Sequence, residues 1–261
     1  MTHRFCAWLF CLLAISLSPN ASAAAPEQQA AALHQIRLSI SGSLGDFYLL
    51  YGVAADPAHV ASIEQRIALA DNQLARLSED ADHALLSALG QLQPLWQNYR
   101  ALVTDLATQL HRKQLPQGGA ITELIRLNRQ LISLCDDLST QLAREHALRS
   151  HDSRALAVRL QSLTTDYIAH SIGANSLGGD APAVDEPSKA FAAGLQRLRQ
   201  QPGQAAERQR LLEDIEKKWR YIEPSLLNYR HNSVPTLVNR YSAGIIAELG
   251  QLAVEAQVSL P

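Results

Sequence analysis

The chain has 261 residues, with 23 Lys and Arg against 25 Asp and Glu, a formal net charge of −2 and no basic block. That balance excludes nucleic acid as an expected partner, because phosphate-binding chains concentrate positive charge on one face or stripe. Aromatic residues are only 5% of the chain, and Leu, Ala, Gln and Arg dominate without runs of Val, Ile and Thr, so helix is favoured over strand.

The first stretch, MTHRFCAWLFCLLAISLSPNASAAAPEQQ, carries a short basic start (His3, Arg4), an apolar core from Phe5 to Leu17 and a small-x-small signal at Ala21-Ser22-Ala23. This is the pattern of a secretory leader over residues 1–23. The rival reading, an uncleaved anchor, meets an apolar core shorter than the roughly 20 residues that a bilayer requires. No later stretch reads as a membrane span, so the expectation is a soluble, exported chain, periplasmic in a Gram-negative host. Of the three cysteines, Cys6 and Cys11 fall within the leader. Cys135, in LISLCDDL, is left without a pairing partner and reads as a core thiol.

Apolar spacing predicts helices almost throughout. The first runs over Ala30 to Val53. Asp56-Pro57 forms a cap and first-turn proline for a second helix reaching about Ser78. A third covers Asp82 to Lys113, with Pro94 expected to kink it, and LPQGG ends it. From Ala120 to Ile172 there is neither proline nor glycine, and an unbroken helix there would extend about 80 Å at roughly 1.5 Å per residue. SIGANSLGGDAP closes it as a surface loop. Further helices are expected over Asp185 to Gln200, Ala205 to Asn228 and Val234 to Val258.

The two halves share landmarks in one order. Gly52 corresponds to Gly173, LARLSED from Leu74 to LQRLRQQ from Leu195, Trp96 to Trp219, and Asn128-Arg129 to Asn239-Arg240. The predicted fold is therefore all-α, with two tandem antiparallel four-helix bundles, residues 24–145 and 146–261, stacked end to end through the long shared helix.

The repeated polar pair lies within apolar runs, LNRQLISLCD and LVNRYSAGII. Ile121, Leu124, Asn128, Leu131 and Cys135 follow 3-4 spacing, and Asn239 takes the same place among Thr236, Ser242, Ile246 and Leu249. One reading makes each Asn a register device in a helical seam, with the neighbouring Arg reaching solvent. The other makes each pair a polar group in a ligand pocket.

The stretches SGSLGDFYLLYGVAADP, WQNYRALV and KKWRYIEPSL, set in paired helical bundles behind a leader, resemble the PilJ-type domain of type IV pilus methyl-accepting chemotaxis transducers. That domain is related to the sensing bundle of NarX-like nitrate/nitrite receptors. Ser41-Gly42-Ser43-Leu44 matches the start of the family's first-helix signature. Gly45 then stands where the family has its anion-binding Arg, a later Arg position holds Leu50, and Arg37 and Arg159 lie out of register. The resemblance implies a sensory bundle, and nitrate binding is not carried over.

Catalytic patterns are missing. Glu145, His146 and His151 share no helix face with metal-ligand spacing, and no nucleophile elbow, phosphate loop or His-Glu-x-x-His occurs. Trp96 and Trp219 read as core residues rather than pocket walls. The expectation is a non-enzyme without metal or cofactor: an exported sensory or ligand-binding module acting through a membrane-bound receptor or envelope protein, with a homodimer compatible with the pattern. Candidate groups for a small polar ligand or anion are Arg37, Ser41, Ser43, Asn128, Arg129, Asn239 and Arg240. The alternative is a structural or interaction protein of the cell envelope, its pocket lost.

Overall fold

The computed structural model describes residues 21–258 apart from 80, 82, 147, 149, 175–182 and 202–204. Among these residues there are eight helices and no strand: α1 (Ala21–Gly52), α2 (Pro57–Glu79), α3 (His83–His111), α4 (Gly118–Glu145), α5 (His151–Ser171), α6 (Asp185–Gln200), α7 (Ala206–Leu227) and α8 (Pro235–Val258). The expected leader lies outside the described residues except at 21–23, where α1 opens. Most boundaries match the apolar spacing to within a few residues. The Asp56 cap forms as the sequence implies, its Oδ1 accepting the Ala58 N–H at 2.9 Å. α3 runs on through Pro94.

The long shared helix does not form. α4 stops at Glu145, His146 has extended backbone (φ −133°, ψ 140°), and α5 begins at His151. Local propensity gives no reason to stop there, so tertiary contacts decide. The Ser150 hydroxyl, fully buried, donates to the Glu27 carboxylate of α1 at 2.6 Å. Arg154 forms an ion pair with the same carboxylate at 3.0 Å. These bonds hold the start of α5 against the early turns of α1.

The two helices then run alongside one another in the same direction. Glu27 meets Ser150 and Arg154, the Ser41 carbonyl accepts the Thr165 hydroxyl at 2.9 Å, and Gly45 and Gly52 face Thr165 and Ile172. The halves therefore lie side by side along α1 and α5, which overturns the end-to-end stacking expected from the sequence.

Two hydrophobic cores result. One collects residues of α1 to α4, among them Ile36, Phe47, Leu77, Trp96, Tyr99 and Leu131, and also takes in Ile168 and Ala169 from α5. The other collects α5 to α8, including Tyr167, Phe191, Trp219, Ile245 and Leu249. Within the first, α1 packs on α2, α3 and α4, and α2 and α4 both pack on α3; within the second, α5 packs on α6 and α8, and α7 on both of those. Gly52 closes α1, and Gly173, left-handed at φ 69°, follows α5. Trp96 on α3 and Trp219 on α7 are buried. Cys135 is a fully buried free thiol, and burial pushes its pKa up to about 12.

Candidate ligand-binding cleft

The centre of α1 reads ISGSLGD, unusually small for a buried helix. A Cβ at Gly45 would stand 3.1 Å from Thr165 Oγ1, and one at Gly52 only 2.5 Å from Ile172 Cβ. The missing side chains are what let α5 approach α1 so closely. The same geometry leaves no room at position 45 for a long cationic side chain, which would collide with α5. Gly42 faces the Arg66 guanidinium, which pairs with the buried Asp46 carboxylate (Nε to Oδ2, 2.7 Å). The Ser62 hydroxyl donates to the same oxygen at 2.6 Å.

Deeper in the first core, the Ile40 carbonyl gathers polar partners. Asn128 Nδ2 donates to it at 2.9 Å and the Tyr99 hydroxyl at 3.1 Å, while Ser43 Oγ and the Tyr99 hydroxyl share a 2.9 Å bond. Burial raises the pKa of Tyr99 to about 12, so it remains a neutral donor. Asn128 thus ties α4 to α1 and α3. This satisfied arrangement favours the seam reading of Asn128 over the ligand reading.

Beside that network a cleft of about 500 Å³ opens between α1, α4 and α5. Ser41, Leu44 and Tyr48 line it from α1. Asn128, Arg129, Ser133, Asp136 and Asp137 line it from α4, and Ser162, Thr165 and Asp166 from α5. Its floor therefore belongs to the first core and one wall to the second half. Tyr48 is only 4% exposed, yet its hydroxyl has no hydrogen-bond partner among the described residues. Burial, with Tyr99 and Asp166 nearby, raises its pKa and keeps it protonated.

Asp166 likewise has no ion pair or hydrogen bond among the described residues. Burial raises its pKa to about 7, against an opposing pull from Arg129. Arg129 lies on the exposed side of α4 with no ion-pair partner within 4 Å among the described residues, so it does not neutralise Asp166 directly. Asp136 differs, being paired with Arg37.

The sequence-predicted residues therefore divide. Ser41, Asn128 and Arg129 line the cleft. Arg37 touches it only through Asp136, and Ser43 is buried in the Tyr99 network. Asn239 and Arg240 belong to α8 and lie elsewhere. Asn239 is half-buried and Arg240 exposed, its guanidinium 5.6 Å from the Tyr241 ring centre. The α8 seam is built from Val238, Ser242, Ile245 and Leu249: Ser242 and Leu249 fall where expected, while Val238 and Ile245 take the places expected of Asn239 and Ile246. The polar pairs therefore correspond in sequence but not in burial, and Asn239 is no counterpart of the Asn128 seam contact.

Tyr48 and Asp166 were missed by the sequence reading. A signal existed: Asp166 stands as far before Gly173 as Gly45 stands before Gly52, which places a lone acid at the position matching Gly45. Among the described residues, no group of three or more His, Cys, Asp or Glu is placed to hold a metal ion, and no helix is long and apolar enough to cross a membrane. No family model, curated protein or solved structure matches the chain.

Proposed function

We propose that the chain is an exported, non-catalytic sensory or ligand-binding module, a duplicated pair of antiparallel four-helix bundles of the PilJ and NarX-like kind, that signals through a membrane-bound partner. The observation that carries this reading is the cleft itself. Two polar groups that line it, the hydroxyl of the buried Tyr48 and the carboxyl of the half-buried Asp166, have no protein partner among the described residues. Burying such groups is costly unless something completes their bonding.

Its position suits signalling as well. The cleft walls come from α4, which belongs to the first core, and from α5, which gives Ile168 and Ala169 to the first core and its other core residues to the second. A ligand seated there contacts both halves and favours whichever mutual arrangement binds it better.

The test is a melting-temperature screen of the purified chain against a broad panel of small anions, amines, amino acids and neutral metabolites. A ligand that binds only the folded state raises the midpoint in a concentration-dependent way. The reading expects at least one such compound, with the rise abolished by Tyr48→Phe together with Asp166→Asn. A panel without any stabilising compound refutes it and leaves the envelope structural role.

A further inference from the structure

We infer that the α1/α4/α5 cleft binds a small zwitterion of the α-amino acid type, its ammonium group on Asp166 and Tyr48 and its carboxylate on Arg129. This rests on the ligand-binding reading above and specifies the chemistry of that site.

The arrangement of charge carries the inference. Asp166 and Arg129 line one cleft from α5 and α4, and neither is paired among the described residues. The two opposite charges stand more than the ion-pairing distance apart and form no salt bridge with each other. A ligand with one positive and one negative end fits between them and neutralises both. An anion alone would leave Asp166 uncompensated and would face Asp136 and Asp137 as well. A cation alone would leave Arg129 unused.

Tyr48 supplies an observation independent of the acids. Tyr48 is 4% exposed and lines the cleft floor with a hydroxyl that has no partner among the described residues. A phenol hydroxyl accepts from an ammonium N–H as well as donating, so Tyr48 and Asp166 together offer an ammonium two acceptors. Hydroxyls of Ser41 and Ser133 line the same space. The volume, about 500 Å³, accommodates a single amino acid with its side chain, within the usual range of ligand sites.

Titration gives the site a signature. The groups facing Asp166 are Tyr48 from α1 and Arg129, Asp136 and Asp137 from α4. Tyr48 stays protonated across the neutral range. Asp166, with its pKa near 7, changes charge there. An ammonium selects the ionised carboxylate, so affinity should tighten about tenfold from pH 6 to pH 8, with net proton release on binding.

The experiment uses isothermal titration calorimetry on the mature chain. Its probes are the twenty α-amino acids, the corresponding decarboxylated amines and the corresponding α-hydroxy acids. The expected result is saturable binding of one or more amino acids, with the matched amine and hydroxy acid at least about tenfold weaker. Asp166→Asn should remove the pH dependence and most of the affinity. Arg129→Gln should weaken the amino acid while leaving the amine unchanged. Both variants remain testable, because Arg129 is exposed and Asp166 makes no protein bond that its loss would break.

Equal binding of hydroxy acid and amino acid, or affinity unaffected by Asp166→Asn, overturns the inference. So does the absence of binding by all twenty amino acids. In each of those cases a stabilising compound of another class in the melting screen would still uphold the ligand-binding reading, so the two failures are distinguishable.

Discussion

Replacing Asp166 by Asn should make the protein more stable, and by an amount that depends on pH in a defined way. The carboxyl has a pKa of about 7 in the folded chain against an ordinary value of 3.8. Between these values the unfolded chain releases a proton that the folded chain retains, so the wild type loses stability as pH rises. Below about pH 4 both states hold the proton and the loss vanishes. Above about pH 7 both states are ionised and the loss is complete. The slope between is about 1.4 kcal/mol per pH unit, and the total is roughly 2–4 kcal/mol, the lower figure allowing for water that reaches the cleft. Asparagine has nearly the same shape and no charge, so it escapes this loss. Urea unfolding of wild type and Asp166→Asn from pH 4.5 to 8.5, without ligand, is the direct assay. The advantage of the variant should grow with pH and level off above about pH 7. A difference that is constant with pH, or an Asn variant less stable than wild type at pH 8, would refute the account of Asp166 as a buried, uncompensated carboxyl.

Asn128→Ala should destabilise the fold by about 1–3 kcal/mol in the same unfolding assay, because Asn128 Nδ2 bonds the Ile40 carbonyl at 2.9 Å inside the core. Asn239→Ala, at a half-buried position, should cost less than about 0.5 kcal/mol. Gly45→Ala should cost about 1–3 kcal/mol, since its Cβ meets Thr165 Oγ1 at 3.1 Å and that hydroxyl is held by the Ser41 and Gln161 carbonyls. Gly90→Ala, with nothing near its Cβ on the exposed side of α3, should instead stabilise by roughly 0.5–1 kcal/mol. Calorimetry with nitrate or nitrite at millimolar concentration should show no saturable heat, because Gly45 and the close approach of α5 leave no place for an arginine at that position.

Helices were legible because they rest on local signals. Apolar spacing, the Asp56-Pro57 start and the glycine-rich stops each act within a few residues, and the structure places α2, α6 and α7 close to the boundaries these signals imply. The break between α4 and α5 was illegible for the opposite reason. Nothing between Ala120 and Ile172 disfavours helix locally, and the partner that holds Ser150 and Arg154 is Glu27, more than a hundred residues away. Small residues in the middle of α1 were read as a decayed ligand motif. Their role in the fold is steric, as the surface on which α5 lies. The place of Asn239 was misjudged because it stands beside Val238 in an apolar run, and only packing shows that Val238, and not Asn239, faces inward.

The cleft follows from the same close packing. Bringing α5 against α1 required small side chains at Ser41 and Gly45, and small side chains leave space beside them. That space is bounded by α4, whose exposed turn carries Arg129, and by α5, which carries Asp166 opposite. The sequence showed Arg129 as half of a repeated pair, but no periodicity within α4 or within α5 could show that the two charges share a cavity. A ligand bridging them at a hundred times its dissociation constant contributes about 2.7 kcal/mol to the folded state. That is comparable with what the uncompensated Asp166 costs, so under the proposed ligand-binding function the joint between the halves would be weakest when empty and firm when filled. Such a site would report occupancy by how tightly its two halves are held. The coupling should therefore appear as slower hydrogen exchange along α5, and not only at the lining residues, when the cleft is occupied.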